Sequence, residues 1–110
     1  MPHPEFQVKT GKDGEFYFNL TAKNGQTILA SQGYKTEDSC ENGIASVKKN
    51  SQDDARFERK TANDGQFYFT LNATNGQIIG KSEMYKTKDS MENGISSVKT
   101  NAPLAGINYI

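Results

Sequence analysis

Residues 34–50 read YKTEDSCENGIASVKKN, and residues 85–101 read YKTKDSMENGISSVKTN. A shift of 51 positions aligns residues 6–51 with residues 57–102 without a gap, and roughly 28 of the 46 pairs are identical. The chain therefore contains an internal duplication, and whatever one copy forms the other is expected to form. We predict repeat 1 over residues 6–51 and repeat 2 over residues 57–102, joined by a short polar segment.

The duplicated stretch predicts one amphipathic helix in each copy. Thr36 is a typical N-cap residue, and acidic residues follow it in the first turn. Glycine inside a helix costs about 1 kcal/mol relative to alanine, so Gly43 and Gly94 indicate that the helix lies too close to the sheet for a Cβ. The predicted buried stripe has the spacing i, i+4, i+7 and consists of Cys40, Ile44 and Val47, then Met91, Ile95 and Val98.

Each helix is preceded by three short runs separated by Asp-Gly and Asn-Gly, which predict three antiparallel strands. Two-residue turns would set apolar residues opposite polar ones. Three-residue turns with glycine at the bulge position instead pair Val8 with Phe18, Thr10 with Phe16 and Leu20 with Ile28. In the second copy they pair Thr61 with Phe67 and Leu71 with Ile79. The side chains predicted to face the helices are Phe16, Phe18, Leu20, Ile28, Phe67, Phe69, Leu71 and Ile79.

The length of the chain favours one shared core. A protein of 110 residues is the size of one ordinary domain, and two independent halves would each be marginally stable. We therefore predict a single α+β domain over residues 1–110, with two layers and an internal pseudo-two-fold axis. Residues 106–110 either add a final edge strand or fray.

Charge and composition indicate a compartment. The 13 basic and 13 acidic residues balance, so no overall field attracts nucleic acid or an anionic membrane. Residues 1–6 contain neither a basic nor an apolar run, and the chain has a single cysteine. We expect a cytoplasmic protein without membrane attachment.

Residue types that could support catalysis are few. Cys40 is the only thiol, its counterpart is Met91, and the only histidine, His3, lies near the N-terminus. These residues do not provide the three or four ligands of a metal site. Asp38 and Glu41, like their counterparts in repeat 2, suit solvated positions near a helix N-terminus. We therefore expect no enzymatic activity, no metal and no cofactor.

Two groups of residues are candidates for binding. Strand alternation places Tyr17, Tyr68, Lys9 and Lys60 on the sheet face opposite the phenylalanines, where they could stack bases or hold a polar ligand. The structural alternative is ordinary cross-strand pairing on a solvated sheet, and we favour it because the net charge is zero and arginine is scarce.

The second group precedes the helices and consists of Tyr34, Lys35, Tyr85 and Lys86. A helix N-terminus with a neighbouring lysine and hydroxyl can bind an anion. The same residues also describe an aromatic that anchors the chain as it enters a capped helix, and this structural interpretation is favoured.

The repeated pattern resembles the YegP-like family of small uncharacterised bacterial proteins. Its residues are DGxFYFxLxAxNGQ, at 13–26 and 64–77, and YxTxxSxxxGIxSVK, at 34–48 and 85–99. The resemblance implies two β-β-β-α-β units that share one sheet and exchange their C-terminal strands. It further implies a monomer with internal pseudo-symmetry, and it brings no established activity.

Three functional hypotheses remain open. The first is a non-catalytic binding or interaction module for an unknown partner. The second is weak nucleic-acid binding through the tyrosines and lysines of the sheet. The third is a small-molecule enzyme.

Overall fold

The computed structural model describes residues 3–110; Met1 and Pro2, the first residues of the predicted domain, lie outside them. Repeat 1 forms strands β1 (Glu5–Thr10), β2 (Phe16–Thr21) and β3 (Thr27–Ala30) and helix α1 (Glu37–Asn50). Repeat 2 forms β4 (Phe57–Thr61), β5 (Phe67–Asn72), β6 (Ile78–Lys81) and α2 (Lys88–Asn101), followed by β7 (Gly106–Tyr109). Short 3-10 helices at Asp54–Arg56 and Ala102–Leu104 follow α1 and α2. The predicted α+β fold is confirmed, and the C-terminal segment forms an edge strand.

All seven strands belong to one sheet with the order β4-β5-β6-β3-β2-β1-β7. Ala30 of β3 pairs with Lys81 of β6, its own counterpart 51 residues later, so the pseudo-two-fold axis passes between these two strands. The predicted antiparallel sheet is in fact mixed, because β7 runs parallel to β1. One C-terminal strand is thus exchanged between repeats. The corresponding residues after α1 instead form the 3-10 helix Asp54–Arg56 and the start of β4.

Both predicted three-residue turns are confirmed, whereas the predicted register beyond the second turn is corrected. Val8 lies opposite Phe18, and Thr61 lies opposite Phe67, as expected for the three-residue turn. The predicted pair of Leu20 and Ile28 is wrong, because Leu20 lies opposite Leu29. The predicted pair of Leu71 and Ile79 in repeat 2 is wrong in the same way, because Leu71 lies opposite Gly80. A β-bulge at this point lets two consecutive apolar residues, such as Ile28 and Leu29, both be buried.

One hydrophobic core lies between the sheet and the two helices. It joins the predicted helical stripes to strand residues of both repeats, including Phe6, Phe18, Leu20, Phe69 and Leu71. Helix α1 packs on β2 of its own repeat and on β5 and β6 of the other, and α2 packs on β5 and β3. Because each helix contacts strands of both repeats, each repeat completes the burial of the other.

The two helices begin as the sequence predicts. Thr36 caps α1 by accepting a hydrogen bond from the Ser39 amide at 3.1 Å, and Thr87 caps α2 by accepting one from the Ser90 amide at 3.0 Å. In both repeats the dipeptide Tyr-Lys precedes the capping threonine and connects the sheet to the helix.

Candidate binding surface

The sheet face opposite the helices, which we call the open face, is not covered by either helix. Its side chains alternate with the core residues along each strand and include Gln7, Lys9, Tyr17, Asn19, Lys60, Tyr68, Thr70 and Lys81. The register places Lys9 opposite Tyr17 and Lys60 opposite Tyr68. The four residues predicted for this face therefore form two pairs, one in each repeat, separated by the central strands β3 and β6.

Tyr17 is half-buried on the open face and is fixed by a hydrogen bond. Its hydroxyl donates to Oδ2 of Asp13 at 2.7 Å. This hydrogen bond, aided by desolvation, raises the pKa of Tyr17 above its usual value. The ring also lies against the backbone of Gly33, where an added Cβ would come within 3.0 Å of it. Tyr17 is therefore a fixed aromatic surface.

Tyr68, the counterpart of Tyr17, has a different environment. The ammonium group of Lys81 lies 4.9 Å from the centre of the Tyr68 ring, a cation–π arrangement. The counterpart of Lys81 in repeat 1 is Ala30, which has no ammonium group to place over the Tyr17 ring. The two tyrosines thus provide an aromatic surface beside a carboxylate in repeat 1 and beside an ammonium group in repeat 2.

The basic residues of the open face are partly neutralised. Lys60 pairs with Glu58 at 2.9 Å, and this hydrogen bond raises the pKa of Lys60. Arg59 belongs to the helix-facing side, where it pairs with Glu92 at 2.8 Å. The guanidinium group of Arg59, which could bind a phosphate in a bidentate manner, is therefore paired with a carboxylate away from the open face.

Tyr34 and Tyr85 lie on the helix-facing side of the sheet, separate from the open face. The Tyr34 ring stacks on Phe18 with a centroid distance of 6.1 Å, and the Tyr85 ring stacks on Phe69 at 6.4 Å. Burial raises the pKa of both phenols. A Cβ on Gly43 would lie 2.7 Å from Cζ of Tyr34. The predicted close approach at Gly43 is confirmed, and the closest atoms belong to this tyrosine.

The segment that contains Tyr34 is also held by backbone hydrogen bonds. The amide of Phe16 donates to the carbonyl of Tyr34 at 2.7 Å, and the amide of Tyr34 donates back at 2.8 Å. Lys35 and Lys86, the next residues along each chain segment, are exposed. This geometry fits the interpretation of Tyr34 and Tyr85 as anchors for the chain entering each helix.

Cys40 is buried in the core, and the helix carboxylate Glu41 takes part in a hydrogen bond with β7. The thiol of Cys40 is fully buried in the core, and burial raises its pKa, which opposes formation of the nucleophilic thiolate. Glu41 accepts a hydrogen bond from the Tyr109 hydroxyl of β7. Within residues 3–110, no cluster of three or more histidine, cysteine or acidic side chains is arranged to hold a metal ion.

Sequence reasoning missed an ion cluster beside β4. Asp54 accepts hydrogen bonds from Arg59 at 3.1 Å and from Lys99 at 2.7 Å. These bonds, the one from Arg59 first, lower the pKa of Asp54 to about 2. Arg59 also lowers the pKa of Glu92 by hydrogen bonding to it. The signal was present in the sequence, because Arg59 stands where repeat 1 has the buried Val8.

A second missed feature is a groove at the junction of the repeats. It lies between the loop after β3 and the first residues of β6, with Gln32 and Ile78 on its two sides. The sequence signal is divergence between the copies, since Gly33 and Lys81 correspond to Met84 and Ala30. Their spatial proximity depends on the pairing of β3 with β6, which no local pattern indicates.

Comparison with protein families establishes the family membership that the repeated motifs suggest. A family described as a domain of unknown function, DUF1508, matches the chain twice, over residues 12–58 and 62–108. The chain belongs to the DUF1508 family. The two matches correspond to the two structural repeats, and the resemblance to YegP-like proteins is confirmed.

Several bacterial proteins that carry the name UPF0339 are similar in sequence to this chain. A UPF0339 protein of Pseudomonas aeruginosa is 52% identical over 103 residues, which are 94% of this chain and 94% of that protein. The UPF0339 protein YegP of Escherichia coli K12 is 52% identical over 96 residues, 87% of each chain. These names assign no activity.

Two solved structures of similar proteins show the same fold. The solution NMR structure of YegP from E. coli, described as a protein of unknown function, matches with a TM-score of 0.93 at 46% identity, covering 99% of this chain and 94% of that one. The solution NMR structure of a UPF0339 protein from Shewanella oneidensis matches with a TM-score of 0.91 at 37% identity, covering 99% of this chain and 92% of that one.

Over residues 3–110, neither α1 nor α2 has the length and apolar character needed to cross a bilayer.

Proposed function

We propose that this protein is a non-catalytic binding module that recognises a cytoplasmic protein partner through its open face. The observation that carries the proposal is the seven-stranded sheet with both helices on one side, which leaves a broad face with two half-buried tyrosines uncovered. Tyrosine is enriched at protein interfaces because it combines a large apolar ring with a polar hydroxyl. In this proposal the protein acts as a monomer, because the pseudo-two-fold is already satisfied within one chain.

The charges of the open face support a protein partner over nucleic acid. The Tyr17 hydroxyl is bonded to Asp13, and Lys60, which lies opposite Tyr68, is paired with Glu58, so each repeat carries a carboxylate on this face. A polyanion would be repelled by those carboxylates, whereas a protein surface with mixed charges would not. Weak nucleic-acid binding remains the second candidate, supported by Lys81 and Tyr68, which combine a cation with an aromatic ring.

The proposal assigns no chemical step to the protein. A catalytic cysteine needs a base and an accessible thiolate, and the Cys40 thiol is fully buried with a raised pKa. The carboxylate of Glu92 is paired with Arg59, and its lowered pKa is unfavourable for a general acid at neutral pH.

Affinity capture from a lysate of the source organism tests this proposal. We expect the wild-type protein to retain a partner that the double variant Tyr17→Ala/Tyr68→Ala loses. Tyr109→Ala is the matched control, because Tyr109 lies on the helix-facing side at the edge of the sheet. NMR titration of the purified partner should then shift amides of β2 and β5. Equal capture by both variants would contradict the proposal, and salt-dependent binding of single-stranded RNA by the wild type alone would favour the second candidate.

A further inference from the structure

Two adjoining chambers, which together form the groove, lie where the repeats meet. The first chamber has a volume of about 320 Å³ and is lined by Gln32, Gly33, Tyr34, Gln77, Ile78 and Ile79. The second has a volume of about 310 Å³, shares Gln32 and Ile78 with the first, and reaches Thr70 and Lys81 on the open face. Small-molecule sites have volumes of roughly 300–1,000 Å³. The groove therefore fits a ligand about the size of an amino-acid derivative.

The groove exists because the central strands are paired over a very short length. Ala30 and Lys81 form the single register pair between β3 and β6. Beyond Ala30 the chain leaves the sheet, and the side-chain amide of Gln32 donates to the carbonyl of Ile78 at 3.3 Å. A side chain thus occupies the place that main-chain pairing would fill in a longer ladder, and the space beside it stays open.

The two repeats differ at the residues that shape this groove. Gly33 lines the first chamber, and the space that its side chain would need is taken by Glu15 and Tyr17, whereas its counterpart in repeat 2 is Met84. Lys81 supplies a cation and pairs across the axis with its counterpart Ala30. Gln32 is neutral, and its counterpart is Glu83. The pseudo-symmetric location therefore has a larger residue, Met84, and an acidic residue, Glu83, where this groove has Gly33 and Gln32.

Charge gives the groove a direction. Lys81 makes no ion pair with a carboxylate in the part of the chain that the structure describes, and its ammonium group is held over the Tyr68 ring. At the other end, the carboxylate of Glu15 lies against Gly33. An anionic group is therefore favoured near Lys81 and disfavoured near Gly33. Between the two ends, Ile78 offers an apolar contact and Gln32 an amide.

We propose that this groove binds a small carboxylate with an aliphatic and amide body, oriented with its carboxylate toward Lys81. The proposal goes beyond partner binding by the open face, because it concerns a small ligand at the junction of the repeats and does not require Tyr17 or Lys9. A charge-assisted hydrogen bond from Lys81 supplies selectivity for the carboxylate. The side chain of Ile78 and the amide of Gln32 contact the remainder of the ligand.

NMR titration of the full-length ¹⁵N-labelled protein with N-acetyl-leucine tests the proposal. This probe has about 12 non-hydrogen atoms, for which typical ligand efficiencies give a dissociation constant on the order of 1 mM. We expect shifts concentrated at amides of residues 31–33 and 77–81. N-acetyl-leucine amide, which differs by the loss of the charge, should bind about tenfold more weakly, the effect of one charge-assisted hydrogen bond.

Two variants copy residues that the other repeat already carries at the equivalent position. Lys81→Ala should weaken the binding of N-acetyl-leucine about tenfold, and Gln32→Glu should weaken it by electrostatic repulsion. Lys49→Ala removes an exposed lysine of α1 and should leave binding unchanged. Each ¹⁵N spectrum also reports whether the variant is folded.

Three results would overturn the proposal. These are an absence of shifts at residues 31–33 and 77–81 with millimolar N-acetyl-leucine, equal affinity of the wild type for the acid and its amide, and unchanged affinity in folded Lys81→Ala. The comparison of acid with amide needs no variant. Loss of partner capture in the tyrosine variants is a separate result, so the two proposals can fail independently.

Discussion

Leu29 packs against Gly80, its own counterpart in the other repeat. A Cβ on Gly80 would lie 2.6 Å from Cγ of Leu29, and Leu29 is fully buried. Because the pseudo-two-fold axis brings these equivalent positions together, two leucines would compete for the same space. One repeat therefore supplies a large side chain and the other supplies none, and the duplicated halves are required to differ at the axis.

This relationship predicts strong coupling between substitutions at the two positions. Gly80→Leu alone should destabilise the protein by about 1–3 kcal/mol through overpacking. Leu29→Gly alone should destabilise it by several kcal/mol, on the scale of about 2–5 kcal/mol for a lost buried leucine. In the double variant one leucine again fills the space. The loss in the free energy of unfolding of the double variant, measured with urea, should therefore be smaller than the sum of the two single losses by about 1 kcal/mol or more. Additive losses would show that the two residues do not share a site.

The contact between Tyr34 and Gly43 makes a second prediction. Alanine has a higher helix propensity than glycine by about 1 kcal/mol, so replacing glycine with alanine at a solvent-exposed helix position is stabilising. In this protein the new Cβ would lie 2.7 Å from Cζ of Tyr34 and 3.2 Å from Cε2 of Phe18. We expect a net destabilisation of about 1–3 kcal/mol and a lower melting temperature. Asn42→Ala, on the exposed side of α1, is the control, and a rise in melting temperature for Gly43→Ala would contradict the packing described.

The ion cluster around Asp54 predicts a pH dependence of stability. The carboxyl of Asp54 has its pKa lowered from 3.8 to about 2 by hydrogen bonds from Arg59 and then Lys99. A lowered pKa in the folded state means that the stabilisation is fully present above pH of about 4 and is lost as the pH falls toward 2. Asp54→Asn should thus lower the melting temperature at pH 7, and its difference from the wild type should shrink between pH of about 4 and 2.

Two controls accompany the measurement on Asp54. Glu83→Gln removes an exposed carboxylate from the loop before α2 and should not reproduce the effect. Added salt should reduce the difference at pH 7, because the cluster is solvent-exposed and screened. A difference that is independent of both pH and salt would mean that Asp54 stabilises the protein by some means other than this cluster.

The features that follow from local chemistry could be predicted from the sequence. Thr36 and Thr87 cap their helices, and the three-residue turn sets Val8 opposite Phe18, because caps and turns depend on nearby residues. The duplication also made the common pattern of the two halves visible. The packing of the helices followed from the positions of their apolar residues and of Gly43.

The features that depend on distant parts of the chain could not be predicted. The bulge at Ile28 departs from simple alternation because both Ile28 and Leu29 are buried, and the second burial requires the neighbouring repeat. The exchanged C-terminal strand was implied by the family resemblance, but its parallel direction was not, because the pairing of β7 with β1 joins opposite ends of the chain. The ion cluster joins Asp54 and Arg59 to Lys99 and Glu92 of α2. The groove joins Gln32 to Ile78, so both features arise where segments far apart in sequence meet.

The central claim is that the two repeats complete one core and neither is a stable unit alone. Helix α1 contacts β5 and β6 of the other repeat, so residues 1–56 by themselves would leave its buried stripe exposed. The most direct measurement is thermal unfolding of this fragment by circular dichroism over a hundredfold range of concentration, with its mass followed by sedimentation. We predict an unfolded monomer, or a folded dimer whose melting temperature rises with concentration. A monomer that melts cooperatively at a temperature independent of concentration would contradict the claim.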